Sequence, residues 1–328
     1  MEISRFGPHD TDQLAGYVAT VNAARAVDSP WVHPLTLREK EGDLRHGWDG
    51  EPSTPYLGTE DGAVVAVGAI NTSELDNLHL AWLNVQVHPD HRRRGLGSEM
   101  LAAMVGVAAE RGRTSVGSDG WAGDGPAAFA ARHGFEAKSV AVNRRQFLAE
   151  VDWALLDKLH DEAATAASAY DVVRRVGATP DDELEAVAAM TAAINDAPKD
   201  GLDIEDEVFT PERVGKYEAA QLGRGFALHR VLVRHRETGE LAGHTVVTVD
   251  SERPHLAEQH DTSVVAGHRG HRLGLLLKTE MNLWLRDAQP QIESIDTWNA
   301  ESNDHMIGVN EAIGYRVMGR EVEYQRAL

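Results

Sequence analysis

The chain has 328 residues, of which 42% are hydrophobic, which is enough for two domains with their own cores. Its formal net charge is −20, and an acidic surface repels phosphate backbones, so we expect no nucleic-acid partner. Cysteine is absent, which excludes disulfides, thiolate metal ligands and a cysteinyl acyl-enzyme. The N-terminus lacks an apolar signal segment and no apolar run is long enough to span a bilayer, so the sequence predicts a cytoplasmic protein without a membrane partner.

The first half of the sequence predicts alternating strands and helices. A strand at 2–6 and a helix from 10 to 26 come first. A hairpin follows, with its turn at 60–62, where the sequence Glu-Asp-Gly is typical of a tight connection. The next strand, 81–87, is rich in β-forming residues and is followed by a proline. The last strand of this half is expected at 140–151.

A basic loop that contains glycine, Arg92 to Gly97, lies between the strand 81–87 and an apolar segment with helical spacing. The backbone N–H groups in the first turn of a helix have no partner inside the helix, and the macrodipole adds partial positive charge there. Glycine lets a phosphate approach the backbone closely, because it has no Cβ. The loop therefore predicts an anion site. An ordinary strand-to-helix turn without a ligand is the alternative.

The chain also repeats itself. Gly7 and Gly177, which follow similar strands, lie 170 residues apart, and Gly134 and Gly314, which precede aromatic residues, lie 180 apart. Between these landmarks the basic loop recurs at 268–274. A repeat of this length is too long for a solenoid, so each copy should be a whole domain.

We therefore predict two domains, residues 1–150 and 169–328, joined by an alanine-rich helical linker at 151–168. The second domain should repeat the element order of the first. A strand at 257–265 precedes its basic loop, and a strand at 292–298 follows the helix after that loop.

The first loop resembles motif A of the GCN5-related N-acetyltransferases (GNAT), Gln/Arg-x-x-Gly-x-Gly/Ala, which Arg92, Gly95 and Gly97 fill. In the second loop Arg272 stands where the family has its first glycine, and we expect it to open the helix with ordinary backbone angles. The resemblance implies an α/β fold of two tandem GNAT-type domains, each a splayed mixed β-sheet flanked by helices, with acetyl-CoA as co-substrate. The cofactor-binding residues that it implies along the two strands and loops are Val85, Gln86, Val87, Arg92, Arg93, Arg94, Gly95, Leu96, Gly97, Ser98, Thr262, Ser263, Val264, Arg269, Gly270, His271, Arg272, Leu273, Gly274 and Leu275.

The second half also resembles motif B of the family. In that motif Asn299 and Asn303 would contact the cofactor. The tyrosine that the family often uses as the acid for the leaving thiolate lies four residues before the final glycine. Ala130 and Asn310 occupy that place in the two halves, so neither half has this acid.

Acetylation of an amine needs a base, because a primary ammonium has a pKa of about 10 and must lose a proton before it attacks. In the histone-acetylating branch of the family, the base is a glutamate six residues before the end of the motif A strand. That count reaches Glu258 in the second half and Ala81 in the first. The period of two places residues 258, 260, 262 and 264 on one strand face, with His260 beside Glu258. We therefore predict Glu258 and His260 as catalytic residues; a solvent-facing polar edge is the alternative.

An acidic stretch lies between Pro198 and Pro211, where the resembled fold binds its acceptor. Asp203 and Glu205 are predicted to hold a cationic amine there, and a solvated surface is the alternative.

No metal site is predicted. The expected activity is direct transfer from acetyl-CoA to a small, cationic amine in a ternary complex, with the C-terminal domain catalytic. A non-catalytic CoA-binding regulator or scaffold is the other hypothesis, and the oligomeric state, a homodimer included, stays open.

Overall fold

The computed structural model describes residues 1–328, which form twelve strands and nine α-helices. The chain divides into two compact units. The N-terminal unit contains residues 1–141, 199–206 and 319–328, and the C-terminal unit contains residues 142–198 and 207–318. No helix combines the length and the apolar character that crossing a membrane requires.

The N-terminal unit is a six-stranded sheet with helices, in the strand order β1-β2-β3-β4-β5-β12. Strands β4 and β5 are parallel, and the pairs β1–β2, β2–β3, β3–β4 and β5–β12 are antiparallel. Its elements are β1 (Glu2–Arg5), α1 (Thr11–Asp28), α2 (Leu37–His46), β2 (Thr54–Glu60), β3 (Ala63–Asn71), β4 (Leu80–Val87), α3 (Leu96–Glu110), β5 (Ser115–Trp121), α4 (Asp124–Arg132) and, from the end of the chain, β12 (Tyr315–Ala327).

The C-terminal unit repeats this plan in the strand order β6-β11-β10-β9-β8-β7, with β10 and β11 parallel. Residues 142–147 of β6 belong to it. Its elements are β6 (Glu136–Phe147), α5 (Trp153–Ala166), β7 (Tyr170–Val176), α6 (Leu184–Thr191), α7 (Pro211–Gly223), β8 (Phe226–His235), β9 (Leu241–Asp250), β10 (Leu256–Val264), α8 (Leu273–Ala288), β11 (Ser294–Ala300) and α9 (Asp304–Ala312).

The last strand of each unit comes from an unexpected part of the chain. Residues 321–327 of β12 pair with β5 and complete the N-terminal sheet, whereas the sequence predicted a strand at 140–151 for that role. The strand in that region is β6, and its second half belongs to the C-terminal unit. The units therefore differ from the predicted spans 1–150 and 169–328. Residue alternation predicts that a segment is a strand, but it carries no information about which neighbour the strand pairs with.

Each unit contains one pair of parallel strands that separates early. Strands β4 and β5 pair over only three residues, 80–82 with 115–117. Strands β10 and β11 do the same, 256–258 with 294–296. Beyond these pairs the two strands diverge, which leaves unpaired backbone groups on both sides of a cleft.

The helix that follows each divergent strand is anchored in the core. In α3, Met100 and Met104 are fully buried and lie four residues apart, so they face the sheet together. In α8, Leu277, Met281 and Leu285 repeat this spacing. Burial of each such side chain contributes about 1.5–3 kcal/mol. This packing fixes where the first turn of each helix lies relative to the cleft.

We expect Tyr324→Ala to destabilise the N-terminal unit by about 3–5 kcal/mol, because this ring on β12 is buried in the core of that unit. Proteolysis should then begin within residues 1–141. Leu328→Ala is the matched control, since Leu328 lies in the same segment with 42% of its surface exposed, and it should leave the digestion unchanged. If Tyr324→Ala leaves the N-terminal fragments as resistant as in the wild type, β12 does not complete this unit.

Candidate functional site

The loop before α3 has the geometry of an anion site. The first hydrogen bond of the helix runs from the Glu99 N–H to the Gly95 carbonyl at 3.1 Å, and the N–H groups of residues 93–98 donate to no protein group. Arg92 fixes the loop: its Nε donates to the carbonyl of Val87 at 3.1 Å, and its two terminal nitrogens bond Asp28 at 2.8 and 2.6 Å. The first arginine of the motif therefore braces the loop.

The loop before α8 has the same construction. Nε of Arg269 donates to the carbonyl of Val264 at 3.2 Å, and its guanidinium bonds Asp196 at 2.5 Å. The helix begins with a hydrogen bond from the Leu276 N–H to the Arg272 carbonyl at 3.0 Å. The N–H groups of residues 270–275 donate to no protein group, so this loop also presents free donors.

Each loop has two residues with left-handed backbone angles, and the two loops place glycine differently. The first uses Arg93 at φ +63° and Gly95 at φ +89°, and the second uses Gly270 at φ +86° and Arg272 at φ +56°. The expectation that Arg272 has ordinary helical angles is therefore wrong. A non-glycine residue in this region costs about 1–2 kcal/mol. The side chain of Arg272 turns outward to Glu162, with a closest approach of 3.2 Å.

The surroundings of the free N–H groups differ between the units. Gly97 and Ser98 are only half-buried, and the Ser98 hydroxyl lies 2.9 Å from Nε2 of His133. The corresponding Gly274 is buried, and a Cβ on it would lie 3.9 Å from Nε2 of His305 on α9. Gly97 is therefore the less buried of the two glycines, although a Cβ on it would lie closer to its neighbours, at 3.4 Å.

The remaining predicted cofactor residues lie along the two clefts, and some of their polar groups form hydrogen bonds within the protein. Val85, Gln86 and Val87 are on the separated part of β4, and Thr262, Ser263 and Val264 are on the corresponding part of β10. Asn303 caps α9, since its Oδ1 accepts the Met306 N–H at 3.2 Å. Asn299 accepts a hydrogen bond from Asn310 at 2.7 Å. Whether these residues bind a cofactor stays a prediction.

A β-bulge in β10 changes the predicted strand face. The register with β9 shifts between Gln259 and Thr262, so the simple alternation from residue 258 to 264 does not hold. Thr262 bonds Thr245 at 2.7 Å and lies on the face opposite Glu258. Glu258 and His260 do share a face, with the carboxylate 4.0 Å from Nε2.

The bulge also changes the counterpart of Glu258 in the other unit. Glu258 is the last residue of β10 that pairs with β11, and Trp82 is the last residue of β4 that pairs with β5. Trp82 therefore occupies the equivalent place, one residue away from the Ala81 that the sequence count reached. The N-terminal unit has no carboxylate at this position.

His260 is a buried, neutral imidazole held from two sides. Its Nδ1 lies 2.6 Å from the hydroxyl of Tyr217 on α7, and its Nε2 lies 3.2 Å from Oγ1 of Thr248 on β9. Burial, with the charge of Arg224 adding to it, lowers the pKa of His260 to about 3. Burial raises the pKa of Tyr217 well above 10, so its hydroxyl keeps its proton. Tyr217 and Thr248 could not be predicted from the sequence, because contacts between distant elements do not appear in local patterns.

The N-terminal cleft holds a cluster of three carboxylates that the sequence did not predict, Asp119, Glu321 and Glu323. Asp119 accepts hydrogen bonds from Nε1 of Trp82 at 2.7 Å and from Nδ2 of Asn84 at 3.1 Å. Burial and the charge of Asp119 raise the pKa of Glu321 to about 8, and burial also raises the pKa values of Asp119 and Glu323. These residues meet because β12 pairs with β5, which no local pattern reveals.

The predicted acceptor residues Asp203 and Glu205 lie in a segment that belongs to the N-terminal unit. Glu205 and Asn77 exchange two hydrogen bonds, of 2.8 and 2.7 Å, between the side chain of each and the backbone N–H of the other. The Asp203 N–H donates to Oε1 of Gln325 at 2.7 Å, and the Asp203 carboxylate lies 3.4 Å from Nε2 of His79. These contacts give the segment a structural role, and its role in acceptor binding stays a prediction.

Comparison with known proteins supports the fold and the family resemblance that were predicted from the sequence. Residues 22–135 match the model of the acetyltransferase (GNAT) family. A mycothiol acetyltransferase from Stackebrandtia nassauensis is 26% identical over 293 residues, which cover 87% of each chain. A tandem GNAT protein from the clavulanic acid biosynthesis pathway superposes with a TM-score of 0.81 at 25% identity, over 99% of this chain and 98% of that one.

A GCN5-related N-acetyltransferase from Sphaerobacter thermophilus shares the fold with a TM-score of 0.68 at 14% identity, over 99% of this chain and 95% of that one. The matches confirm the fold class and the resemblance predicted from the sequence. Residues 22–135 therefore match the acetyltransferase (GNAT) family, and over nearly its whole length the chain is similar to tandem acyltransferases of that family.

Proposed function

We propose that the protein transfers an acetyl group from acetyl-CoA directly to a small, cationic amine, and that transfer takes place in the C-terminal cleft. The observation that carries this proposal is the position of Glu258, at the point where β10 and β11 separate. Its side chain is 52% exposed, so solvent reaches the carboxylate.

The chain's own donors suit acetyl-CoA as the co-substrate. The free N–H groups of residues 93–98 and 270–275 lie at helix N-termini, where a pyrophosphate is stabilised by hydrogen bonds and the helix dipole. The separated strands leave backbone donors and acceptors unpaired beside each loop, and these match the amide groups of the CoA arm. Acetyl-CoA supplies the activated acetyl group.

In this proposal Glu258 takes a proton from the ammonium of the acceptor. The free amine then attacks the thioester carbonyl carbon, the C–N bond forms and the C–S bond breaks. The proton that the nitrogen must still lose passes to the departing thiolate, so CoA leaves as its thiol. His260 is a positioning residue, because both ring nitrogens contact neighbouring hydroxyls and its pKa is too low for it to store a proton near neutral pH. The absence of cysteine supports direct attack over a cysteinyl intermediate.

The acceptor class is supported by charge. The formal net charge of −20 attracts cations over long range, and Glu258 adds an exposed carboxylate where β10 and β11 separate. One relative is a mycothiol acetyltransferase, and a tandem GNAT protein with a similar structure belongs to clavulanic acid biosynthesis. Similar chains therefore serve different small-molecule pathways, and we carry over only that the acceptor is a small molecule.

One observation favours a second assignment, in which the N-terminal cleft is catalytic. The pKa of Glu321 is raised to about 8, mainly by burial, and a base with a pKa near the working pH is an efficient proton acceptor. Asp119 and Glu323 beside it would attract a cationic amine. Non-catalytic CoA binding, in a regulator or scaffold, is the remaining alternative.

We expect Gly97→Asp to abolish acetyl-CoA binding at the N-terminal loop, because its carboxylate would repel the phosphates. Gly97→Ala is the matched control: a Cβ there would lie 3.4 Å from Phe129 and Val87, which a small adjustment accommodates. Calorimetry should give two acetyl-CoA molecules per chain for the wild type and the control, and one for Gly97→Asp. An unchanged stoichiometry in Gly97→Asp would show that this loop does not hold the pyrophosphate.

The catalytic unit is tested by comparing Glu258→Gln with Glu321→Gln. We expect Glu258→Gln to lower kcat by about 10²–10⁴, most severely at low pH where the free amine is scarce, while acetyl-CoA affinity changes little. Glu321→Gln should keep kcat within about threefold. Release of CoA thiol from pools of amines is the measurement, and the chain has no cysteine to react with the thiol reagent. The reverse outcome moves catalysis to the N-terminal cleft, and no thiol release from any amine favours the non-catalytic alternative.

A further inference from the structure

Three side chains of the C-terminal unit form a polar chain that starts in the hydrophobic core. Lys278 on α8 is 1% exposed, and its Nζ donates to Oδ1 of Asn310 at 2.5 Å. Nδ2 of Asn310 in turn donates to Oδ1 of Asn299 at 2.7 Å. We call Lys278, Asn310 and Asn299 the lysine ladder.

The N-terminal unit builds the same fold without such a ladder. The residues at the three corresponding positions are Leu101, Ala130 and Gly120, which follow from aligning α8 with α3, α9 with α4 and β11 with β5. All three lack a polar side chain, so the GNAT fold does not require polar groups at these places.

The ladder is unfavourable for stability. No carboxylate pairs with Lys278, whose Nζ otherwise lies 4.8 Å from the ring centroid of Tyr315. Burial alone lowers the pKa of Lys278 to about 7. Apolar residues that pack well in place of buried charges are often neutral or stabilising. A group that the fold can omit, and that disfavours folding, points to a role in function.

The open end of the ladder lies at the cleft. Asn299 is three residues beyond the last pair between β10 and β11, where the two strands have separated, and its side chain is half-buried. Its own Nδ2 donates to no protein group. Hydrogen bonds in series polarise one another, so a charge on Lys278 strengthens Asn310 and then Asn299 as donors.

We propose that the lysine ladder presents the Asn299 amide as a hydrogen-bond donor to the carbonyl groups of the acyl-CoA arm in the C-terminal cleft. Asn299 contacts the ligand, and Lys278 and Asn310 are positioning residues. The proposal rests on the proposed function, in which acetyl-CoA binds in this cleft.

The test uses the full chain carrying Gly97→Asp, so that acetyl-CoA binding reports on the C-terminal cleft alone. Lys278→Met, Asn310→Ala and Asn299→Ala are compared with Thr279→Val. The control residue is also buried in α8, but its hydroxyl donates only to carbonyls of its own helix. Each ladder variant should weaken acetyl-CoA binding about tenfold, the loss of one strong hydrogen bond. The control should stay within about twofold, and the melting temperature of Lys278→Met should be equal to or above that of its parent.

A pH profile separates positioning from packing. The pKa of Lys278 is about 7 in the folded chain and 10.5 when unperturbed, so the unfolded state binds more protons between these values. The stability of the parent should therefore rise from about pH 7 to about pH 10 relative to Lys278→Met. Its affinity advantage over Lys278→Met should shrink at lower pH, from about pH 6 to about pH 8, because Lys278 in the folded chain loses its charge around its pKa of about 7. The neighbouring Tyr315 stays neutral, since burial and Asp296, which is paired with Arg145, raise its pKa.

Unchanged affinity in Asn299→Ala, or ladder variants that behave as Thr279→Val does, would overturn the proposal. So would parallel pH profiles for the parent and Lys278→Met. If Lys278→Met does not fold, Asn299→Ala decides, because Asn299 is at the edge of the cleft and outside the core. A Gly97→Asp parent that binds no acetyl-CoA refutes the proposed function itself, whereas a parent that binds normally with ladder variants at full affinity refutes only the ladder.

Discussion

The structure of each unit depends on two parallel strands that separate after three residue pairs. Neighbouring strands normally satisfy each other's backbone groups, so early separation leaves a row of unpaired donors and acceptors on β4 and again on β10. The helix that begins just beyond adds further free N–H groups. Arg92 and Arg269 hold this geometry by joining the end of the strand to an earlier acidic residue. A long ligand with amide and phosphate groups is what such a surface can satisfy.

The two units share this frame and differ in the side chains placed upon it. At the mouth of the cleft one has Trp82 and the other has Glu258. Below the cleft the N-terminal unit is apolar at the three positions where the C-terminal unit carries the lysine ladder. The N-terminal unit instead gathers carboxylates on β5 and β12, with Glu321 at a raised pKa. The repeated backbone thus fixes where a cofactor is expected, and the differing side chains decide which unit can move a proton during transfer.

Much of the fold was predictable, because its signals are local. A loop such as Arg92 to Gly97 and its recurrence before α8 can be recognised in the sequence, and the tandem GNAT-type fold is confirmed.

The features that could not be predicted arise from strand pairing and register. The bulge in β10 changes which residues share a face with Glu258, and the pairing of β12 with β5 creates the cluster around Glu321. The left-handed angles of Arg272 depend on the turn as a whole and not on residue type. Likewise, the composition of the acidic segment with Asp203 led to the prediction that it binds the acceptor. Its hydrogen bonds within the N-terminal unit depend on the folded chain and could not be predicted.

The proposed acyl transfer in the C-terminal cleft requires CoA to bind there. The most direct measurement is a crystal structure of the protein soaked with CoA. We predict CoA in the C-terminal cleft, with its thiol end at the point where β10 and β11 separate, within reach of Glu258 directly or through one water. CoA bound only in the N-terminal cleft, with its thiol beside Asp119 and Glu321, would show that transfer does not take place in the C-terminal cleft.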